Sequence, residues 1–147
     1  MPDMTPILLE NFNDKCVIFN VTVDNDGEPI YVPTNLSKLR ITEDTDDIRK
    51  DAEKRVLKQK RTIVGYVEAT VADRPFATAE EYVAGTNYTV KPEDYVCIGE
   101  EIADESPMNV VQFGEYKSNH ILHKIRTAVL KKNFSGANFV FEITTDA

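Results

Sequence analysis

Residues 15–32 read KCVIFNVTVDNDGEPIYV, and this pattern decides how the fold begins. Valine and phenylalanine recur at every second position from 17 to 23, which is the side-chain period of a half-buried β-strand. Asp-Asn-Asp-Gly at 24–27 is a hairpin-turn signal, because Asp-Gly tolerates the positive φ that such turns require. Pro29 opens the returning strand, where a missing N–H matters least. We therefore predict an antiparallel β-hairpin.

Two segments beyond the hairpin have the pattern of long helices. Residues 43–61 combine a narrow apolar stripe at helical spacing with acids at the start and bases at the end, the order that a helix dipole favours. Thr45 suits the N-cap of this helix. Residues 118–133 carry a wider apolar stripe and end before Gly136, which can stop a helix. A capping-box sequence also predicts a short helix over 78–84.

Apolar runs elsewhere predict further strands. They lie at 39–42, 62–71, 95–98, 109–113 and 138–144. Because strands and helices are interspersed without regular βαβ alternation, the expected fold class is α+β. We expect a single domain over residues 1–147, with a mixed or mainly antiparallel sheet of about five to six strands and two longer helices packed on it. Residues 1–14 are interpreted as an extended N-terminal arm.

Cysteine usage and apolar content indicate the compartment. Cys16 and Cys97 lie in apolar strand patterns without a disulfide-rich framework, so we expect free, buried thiols in a cytoplasmic protein. Residues 1–12 lack the basic region and the apolar run of a signal peptide. No window approaches the roughly 18 apolar residues of a membrane span. We expect a soluble protein with no membrane partner.

Motifs for cofactors and metals are missing from the sequence. The six glycines are isolated, so they form no glycine-rich phosphate cradle. His120 and His123 are the two histidines, and no third ligand follows them at a known metal spacing. We therefore expect no cofactor, no metal site and two ordinary surface histidines.

The charge of the chain is unevenly distributed. The formal net charge is −8, yet residues 62–116 alone hold eleven acids and only two bases, Arg74 and Lys91. Residues 117–147 hold five bases and two acids. An acidic middle followed by a basic end makes an electrically polar molecule, and such a field biases which partners it attracts.

The acidic middle contains the candidate contact residues. They are Glu93, Asp94, Glu100, Glu101, Asp104 and Glu105. Tyr82, Tyr88 and Tyr95 lie nearby and are of the type that anchors protein interfaces. We expect a non-enzymatic binding protein of inhibitor or immunity type, bacterial or phage, that docks these acids on a basic protein partner. Acids in place of phosphates would mimic nucleic acid, so direct nucleic-acid binding is not expected. The alternative is a solubilising face.

A second hypothesis starts from the N-terminal arm, residues 1–14. Its apolar side chains would pack on a neighbouring copy, which predicts a homo-oligomer and a structural or assembly subunit, such as that of a virion-like particle. The same side chains would equally cover the edge of their own sheet.

A third hypothesis rests on an acid followed by a Glu-x-Lys sequence. Asp94 opens an apolar strand, and Glu115-Tyr116-Lys117 follows the next predicted strand, ahead of a basic helix. This order resembles the core of the PD-(D/E)xK nuclease superfamily over about residues 78–144, with Glu80 or Glu81 as a further acid. The resemblance implies a metal-dependent nuclease in which Asp94 and Glu115 hold a divalent metal and Lys117 assists the attacking water. A solvated strand end is the alternative.

Overall fold

The structure, a computed structural model, describes residues 12–48, 56–68, 70–132 and 139–145. Within them the chain forms a closed antiparallel β-barrel with a helix packed on its outside. The strands are β1 (Asp14–Val23), β2 (Pro29–Ile48), β3 (Val56–Tyr66), β4 (Tyr95–Ile98), β5 (His123–Lys132) and β6 (Phe139–Thr145). The helix α1 (Val110–Asn119) comes between β4 and β5 in the chain.

Two three-stranded meanders make up the barrel. The first contains β1, β2 and β3, and the second contains β4, β5 and β6. Antiparallel pairing of β1 with β4 and of β3 with β6 joins them, so the order around the barrel is β1-β2-β3-β6-β5-β4. Closure gives every strand a neighbour on both sides, which limits the unpaired edges that an open sheet would expose.

Strand β1 is buried on both faces, whereas the sequence predicts a half-buried strand. Cys16 and Ile18 belong to the main apolar cluster of the barrel, and Val17 and Phe19 belong to a second cluster beneath α1. The buried members of the main cluster come from β1 to β6 and the long connection before β4: Cys16, Ile18, Leu36, Leu39, Ile63, Tyr88, Val90, Val96, Ile125 and Ile143. The two faces of β1 therefore support two layers, the barrel interior and the helix.

Helix α1 covers the outer face of β1. Its buried residue, Phe113, lies with its ring 5.3 Å from that of Phe19 and stacks on Tyr31 at 3.8 Å. Asn109 caps the helix: its side chain accepts from the Gln112 N–H, and the Gln112 side chain accepts from the Asn109 N–H. Among the described residues, no helix combines the length and the apolar character that a membrane crossing needs.

The helix predicted over 43–61 is wrong, because its described residues belong to the β2–β3 hairpin; residues 49–55 lie outside the described chain. The register places acids opposite bases: Glu43 opposite Arg61, Asp44 opposite Lys60, and Asp46 opposite Lys58. Arg61 Nε lies 2.9 Å from Glu43 Oε1. Acids followed by bases suit a helix dipole, but in an antiparallel hairpin the same order brings opposite charges together across the strands.

The helix predicted over 118–133 is also wrong, because most of it is strand β5. A bulge between Ile125 and Thr127 inserts an extra residue into this strand. As a result Ile125 and Ala128, three positions apart, both pack against the main apolar cluster. That spacing imitates one face of a helix.

The strand predicted at 109–113 is wrong in the opposite sense, because these residues begin α1. The spacing Asn109-x-x-Gln112 is itself a capping-box signal, and it indicates the helix that the apolar run alone does not. The short helix predicted over 78–84 forms turns instead. There the Thr78 carbonyl accepts from the Glu81 N–H at 3.0 Å, and the Thr78 hydroxyl donates to the Glu81 carboxylate.

The predicted α+β class is therefore wrong, and the described chain is a β-barrel with one short helix. The predicted hairpin at the start of the chain is confirmed, and the strand predicted at 39–42 is part of β2. Strand β4 has the predicted bounds, Tyr95–Ile98. Strands β3 and β6 overlap the runs predicted at 62–71 and 138–144.

Candidate functional site

Arg74, one of the two bases in the acidic middle of the sequence, is used to hold loops together. Its Nη1 donates to the Pro33 carbonyl and to the Thr34 hydroxyl, both at 2.9 Å, and its Nη2 donates to the Glu105 carbonyl at 2.7 Å. These bonds join strand β2 to two connections, the one after β3 and the one after β4. The guanidinium is therefore committed to backbone and hydroxyl oxygens within the fold.

Lys91, the other base, belongs to a polar network at the end of β1. Its ammonium group donates to the Asp94 carboxylate and to the Val21 carbonyl. Asp94 is fully buried and also accepts from the Val21 N–H at 3.0 Å and from the Asn20 amide at 2.8 Å. The Asn20 side chain in turn bonds the carbonyl and the N–H of Thr89. Burial raises the pKa of Asp94, and the bonds from Lys91, Asn20 and Val21 oppose that shift.

With both of these bases bonded within the fold, the surface formed by residues 62–116 is dominated by carboxylates. Nine of the eleven acids of this segment are exposed: Glu68, Asp73, Glu80, Glu81, Glu93, Glu100, Glu101, Asp104 and Glu115. Some of them pair with bases from elsewhere in the chain. Arg74 and Lys91 are both only partly exposed. Two acids, Asp94 and Glu105, are drawn inward together with these two bases, so the exposed side chains of this segment keep its acidic balance.

Residues 99–105, called the acidic loop below, are fixed to the barrel by Asn35. The Asn35 amide donates to the Ile102 carbonyl at 2.7 Å and accepts from the Ile102 N–H at 2.8 Å, as a neighbouring strand would. The Glu105 carboxylate accepts from both the backbone and the side chain of Asn35. Gly99 begins the loop with φ +78° and donates to the Lys15 carbonyl. The sequence does not predict this role of Asn35, since a lone asparagine in a strand carries no signal.

The six acids predicted as contact residues have different environments. Asp94 is buried and Glu105 is partly buried, so these two carboxylates support the fold. Glu93 pairs with Lys124 at 2.7 Å and Glu101 with Lys15 at 3.3 Å, and all four side chains are exposed. Hydrogen bonds from the Ser106 hydroxyl and from the Ser106 N–H to the Asp104 carboxylate lower the pKa of this carboxyl. The exposed members of the predicted set are Glu93, Glu100, Glu101 and Asp104.

The tyrosines predicted as interface anchors differ in their exposure to solvent. Tyr88 is buried in the main cluster, with its ring 5.6 Å from that of Phe76. Tyr95 is partly exposed, and Lys117 Nζ lies 5.6 Å from its ring centroid. Burial, with a smaller effect of Asp94, raises the pKa of Tyr82 to about 12. Tyr95 therefore has exposed surface beside a cation, whereas Tyr88 serves the core.

The residues of the nuclease hypothesis lie in two kinds of environment. Asp94 is buried ahead of β4, whereas Glu115 and Lys117 are exposed residues of α1. The order of strand, Glu-x-Lys and helix is therefore not formed here, because Glu115 and Lys117 lie within the helix itself. In the part of the chain that the structure describes, no three His, Cys, Asp or Glu residues come together in a way that could hold a metal ion.

The two histidines do not share a helix, contrary to the helix predicted over 118–133. His120 follows α1, and its ring stacks on Tyr116 at 3.9 Å. His123 begins β5, where its Nδ1 lies 3.5 Å from the Arg61 guanidinium. Each ring therefore has its own neighbours within the fold.

Cys16 and Cys97 are free and buried, in agreement with the prediction from the sequence. Cys16 pairs with Ile98 and Val17 with Cys97 across β1 and β4, so the two cysteines are one step apart in register. Successive residues of a strand point to opposite faces, which places the Cys16 thiol in the barrel interior and the Cys97 thiol beneath α1. This geometry does not allow a disulfide between them.

A groove of about 550 Å³ lies between the β1–β2 turn and the start of α1. Its apolar lining includes Ile30, Met108, Val110 and Val111, of which Val110 is 50% and Val111 70% exposed. This groove does not follow from the sequence pattern, because the apolar run at 109–113 indicates a strand where α1 begins.

Comparison of the chain with protein-family models, with curated proteins and with solved structures finds no match. In the described part of the chain, two surface features bear most directly on a function. They are the carboxylates of residues 62–116, including the acidic loop, and the groove beside α1.

Proposed function

We propose that this protein is a non-enzymatic binding protein that docks on a basic protein partner through the acidic loop and the exposed carboxylates around it. One observation carries the proposal. Arg74 and Lys91, the two bases of residues 62–116, are bonded within the fold, while nine of the eleven acids of this segment are exposed. A surface of one sign attracts partners of the opposite sign and steers their encounter.

The attachment of the acidic loop also supports a binding role. Asn35 bonds the backbone of Ile102 in both directions, and Gly99 is bonded to Lys15. A loop held at several points loses less conformational entropy when a partner binds, which favours affinity. Such a fixed acidic surface suits an inhibitor or immunity-type protein whose target presents a basic surface, including a target that normally binds the phosphates of nucleic acid.

The test begins with a pull-down from the source cells and identification of the retained protein by mass spectrometry. Association and dissociation rates with that protein are then measured for the wild type and for the double variant Glu100→Lys, Glu101→Lys. We expect the association rate to fall about tenfold at about 50 mM salt, since charge steering governs encounter more than residence. The wild-type association rate should fall as salt rises to about 300 mM.

A matched control carries the same change of net charge away from the acidic loop. Asp26 lies in the β1–β2 turn, and Ser118 and Asn119 end α1; all three are exposed and lie outside residues 62–116. The triple variant Asp26→Lys, Ser118→Lys, Asn119→Lys changes the net charge by the same amount and should slow association far less than the loop variant. Equal association rates for the wild type and the loop variant, or equal losses in the loop and control variants, would contradict docking through the acidic loop.

A further inference from the structure

The groove beside α1 is lined by apolar side chains and by two carboxylates. Ile30, Met108 and Val111 supply apolar surface, while Asp24 and Glu28 of the β1–β2 turn supply two carboxylates. None of the described residues that line the groove is a lysine or an arginine. The Glu28 carboxylate has no partner among the described residues, so it is available to a cation.

The N-terminus of α1 does not make the groove an anion-binding site. Asn109 and Gln112 exchange side-chain and backbone bonds, so the capping box already occupies N–H groups of the first helical turn. The carboxylates of Asp24 and Glu28 would in addition repel an anion. The electrostatics of the groove favour a cationic occupant.

The walls of the groove are held in place by the fold. Tyr31 and Met108 exchange two backbone bonds, of 2.9 and 2.8 Å, which tie the segment before α1 to β2. Asp24 Oδ1 accepts from the N–H groups of Asp26 and Glu28, which fixes the turn. A site whose walls are already ordered requires little rearrangement when a side chain enters it.

We infer that this groove is a second docking site for the same basic protein partner, and that it takes one apolar side chain flanked by lysine or arginine. The inference rests on the proposed function, because it assumes that the partner is basic. Exposed Val110 and Val111 would lose contact with water on docking, and Glu28 and Asp24 would pair with the flanking cations. The acidic loop would steer the encounter, and the groove would hold the complex.

The first test uses tripeptides as probes of the full-length, ¹⁵N-labelled chain, with amide shifts followed by nuclear magnetic resonance. Acetyl-Lys-Leu-Lys-amide should shift the amides of Met108, Val110 and Val111. Acetyl-Gly-Leu-Gly-amide should bind at least fivefold more weakly, and acetyl-Glu-Leu-Glu-amide should leave these amides unchanged. The inference is overturned if the three groove amides do not respond to the lysine peptide, or if the glutamate peptide binds as tightly.

Variants separate the groove from the rest of the surface. Val111→Ser and Glu28→Gln should each weaken binding of the lysine peptide at least threefold. Val83 is 55% exposed and does not line the groove, so Val83→Ser is the matched control and should bind as the wild type does. Dispersed amide spectra of all three variants establish that the fold is retained. An unchanged affinity in Val111→Ser would refute the groove as the binding site.

Association and dissociation rates measured with the natural partner show whether the groove, the acidic loop or both take part in binding. Val111→Ser should raise the dissociation rate at least threefold and leave the association rate unchanged, the reverse of the acidic-loop variant. An unchanged dissociation rate, with association still slowed by the loop variant, refutes the groove and leaves the proposed function standing. If the lysine peptide binds at the groove but the loop variant associates as fast as the wild type, docking by the acidic loop is refuted. The groove then remains a binding site.

Discussion

Single side chains decide which charges of this molecule reach the solvent. Arg74 bonds two carbonyls and a hydroxyl, and Lys91 bonds a carbonyl and the buried Asp94 carboxylate. Asp94 and Glu105 are drawn inward as well, so the exposed charged side chains of residues 62–116 are all carboxylates. Polar bonds inside the fold therefore shape the electrostatics outside it, a link that no count of charged residues reveals.

The buried carboxylate of Asp94 is the side chain whose loss should cost most stability in this network. Asp94→Ala would leave the Val21 N–H, the Asn20 amide and the Lys91 ammonium without this acceptor. We expect the free energy of unfolding in urea to fall by about 3 kcal/mol, the range for a buried charge that loses its partner.

The neighbouring residue provides the control for that substitution. Glu93→Ala also removes one carboxylate, but from an exposed pair with Lys124. Its urea midpoint should stay close to that of the wild type. A fall of less than about 1 kcal/mol in Asp94→Ala would show that the network around Asp94 contributes little to stability.

The two thiols should be unreactive in the folded protein. Burial raises the pKa of Cys16 and of Cys97 above the ordinary 9.0, and only the thiolate is nucleophilic. Iodoacetamide at about pH 8 should modify both cysteines slowly in the native state and readily in urea, as read by mass spectrometry. Rapid native alkylation, or recovery of a peptide linking Cys16 to Cys97, would contradict this burial.

The raised pKa of the two thiols also determines how the free energy of unfolding depends on pH. A thiol with a raised pKa in the folded state holds its proton more tightly there, so the unfolded chain releases protons first as pH rises above 9.0. The contribution of the thiols is fully present below that pH and is lost above it. Cys16→Ala should therefore show a weaker loss of stability between about pH 8 and pH 10 than the wild type does.

At the scale of elements, the sequence predicts strands whose pattern is local and continuous. The β1–β2 hairpin and β4 follow from alternation, a turn signal and a short apolar run, all within a few residues. Strand β5 was hidden because the bulge after Ile125 places Ala128 on the same side, a spacing of three that a helix would also produce. Helix and strand cannot be separated by periodicity when a bulge resets the alternation.

The β2–β3 hairpin was not predicted, because the order of its charged residues also fits a helix. Glu43 and Arg61 face each other across the strands, and so do other acid and base positions farther along the pair. A hairpin reverses the chain, so cross-strand pairs place acids early and bases late in the sequence, which is also the order along a helix dipole. Only knowledge of the pairing partner decides between the two structures.

The candidate site was predictable only in part, because its geometry also depends on contacts between residues far apart in the sequence. The acidic character of residues 62–116 is a property of composition and was visible in the sequence. The inward placement of Asp94 and Glu105 depends on Asn20 and Asn35, whose partners lie roughly 70 positions away in the chain. The groove depends on the start of α1 lying beside the β1–β2 turn, a contact that sequence spacing does not encode.

At the scale of the whole molecule, the net charge of −8 must weaken the compact state as well as attract partners. Like charges held on one folded surface repel each other more than they do along an unfolded chain. The Debye length shortens from about 30 Å at 0.01 M salt to about 8 Å at 0.15 M, which weakens this repulsion. Salt should therefore stabilise the fold while it slows the encounter with a basic partner.

This opposition gives a test that needs no partner. The melting temperature of the wild type should rise by a few degrees as sodium chloride increases from about 10 to 300 mM, because screening relieves the repulsion among exposed acids. The Glu100→Lys, Glu101→Lys variant has four fewer net negative charges and should show a smaller rise. Val83→Ser leaves the charge unchanged and should respond to salt as the wild type does. A melting temperature that falls with salt would mean that attractive ion pairs such as Lys15–Glu101 outweigh the repulsion. An equal rise in the wild type and the charge variant would mean that Glu100 and Glu101 do not contribute to the repulsion. In either case the steering field assigned to the acidic loop would be too weak to control association.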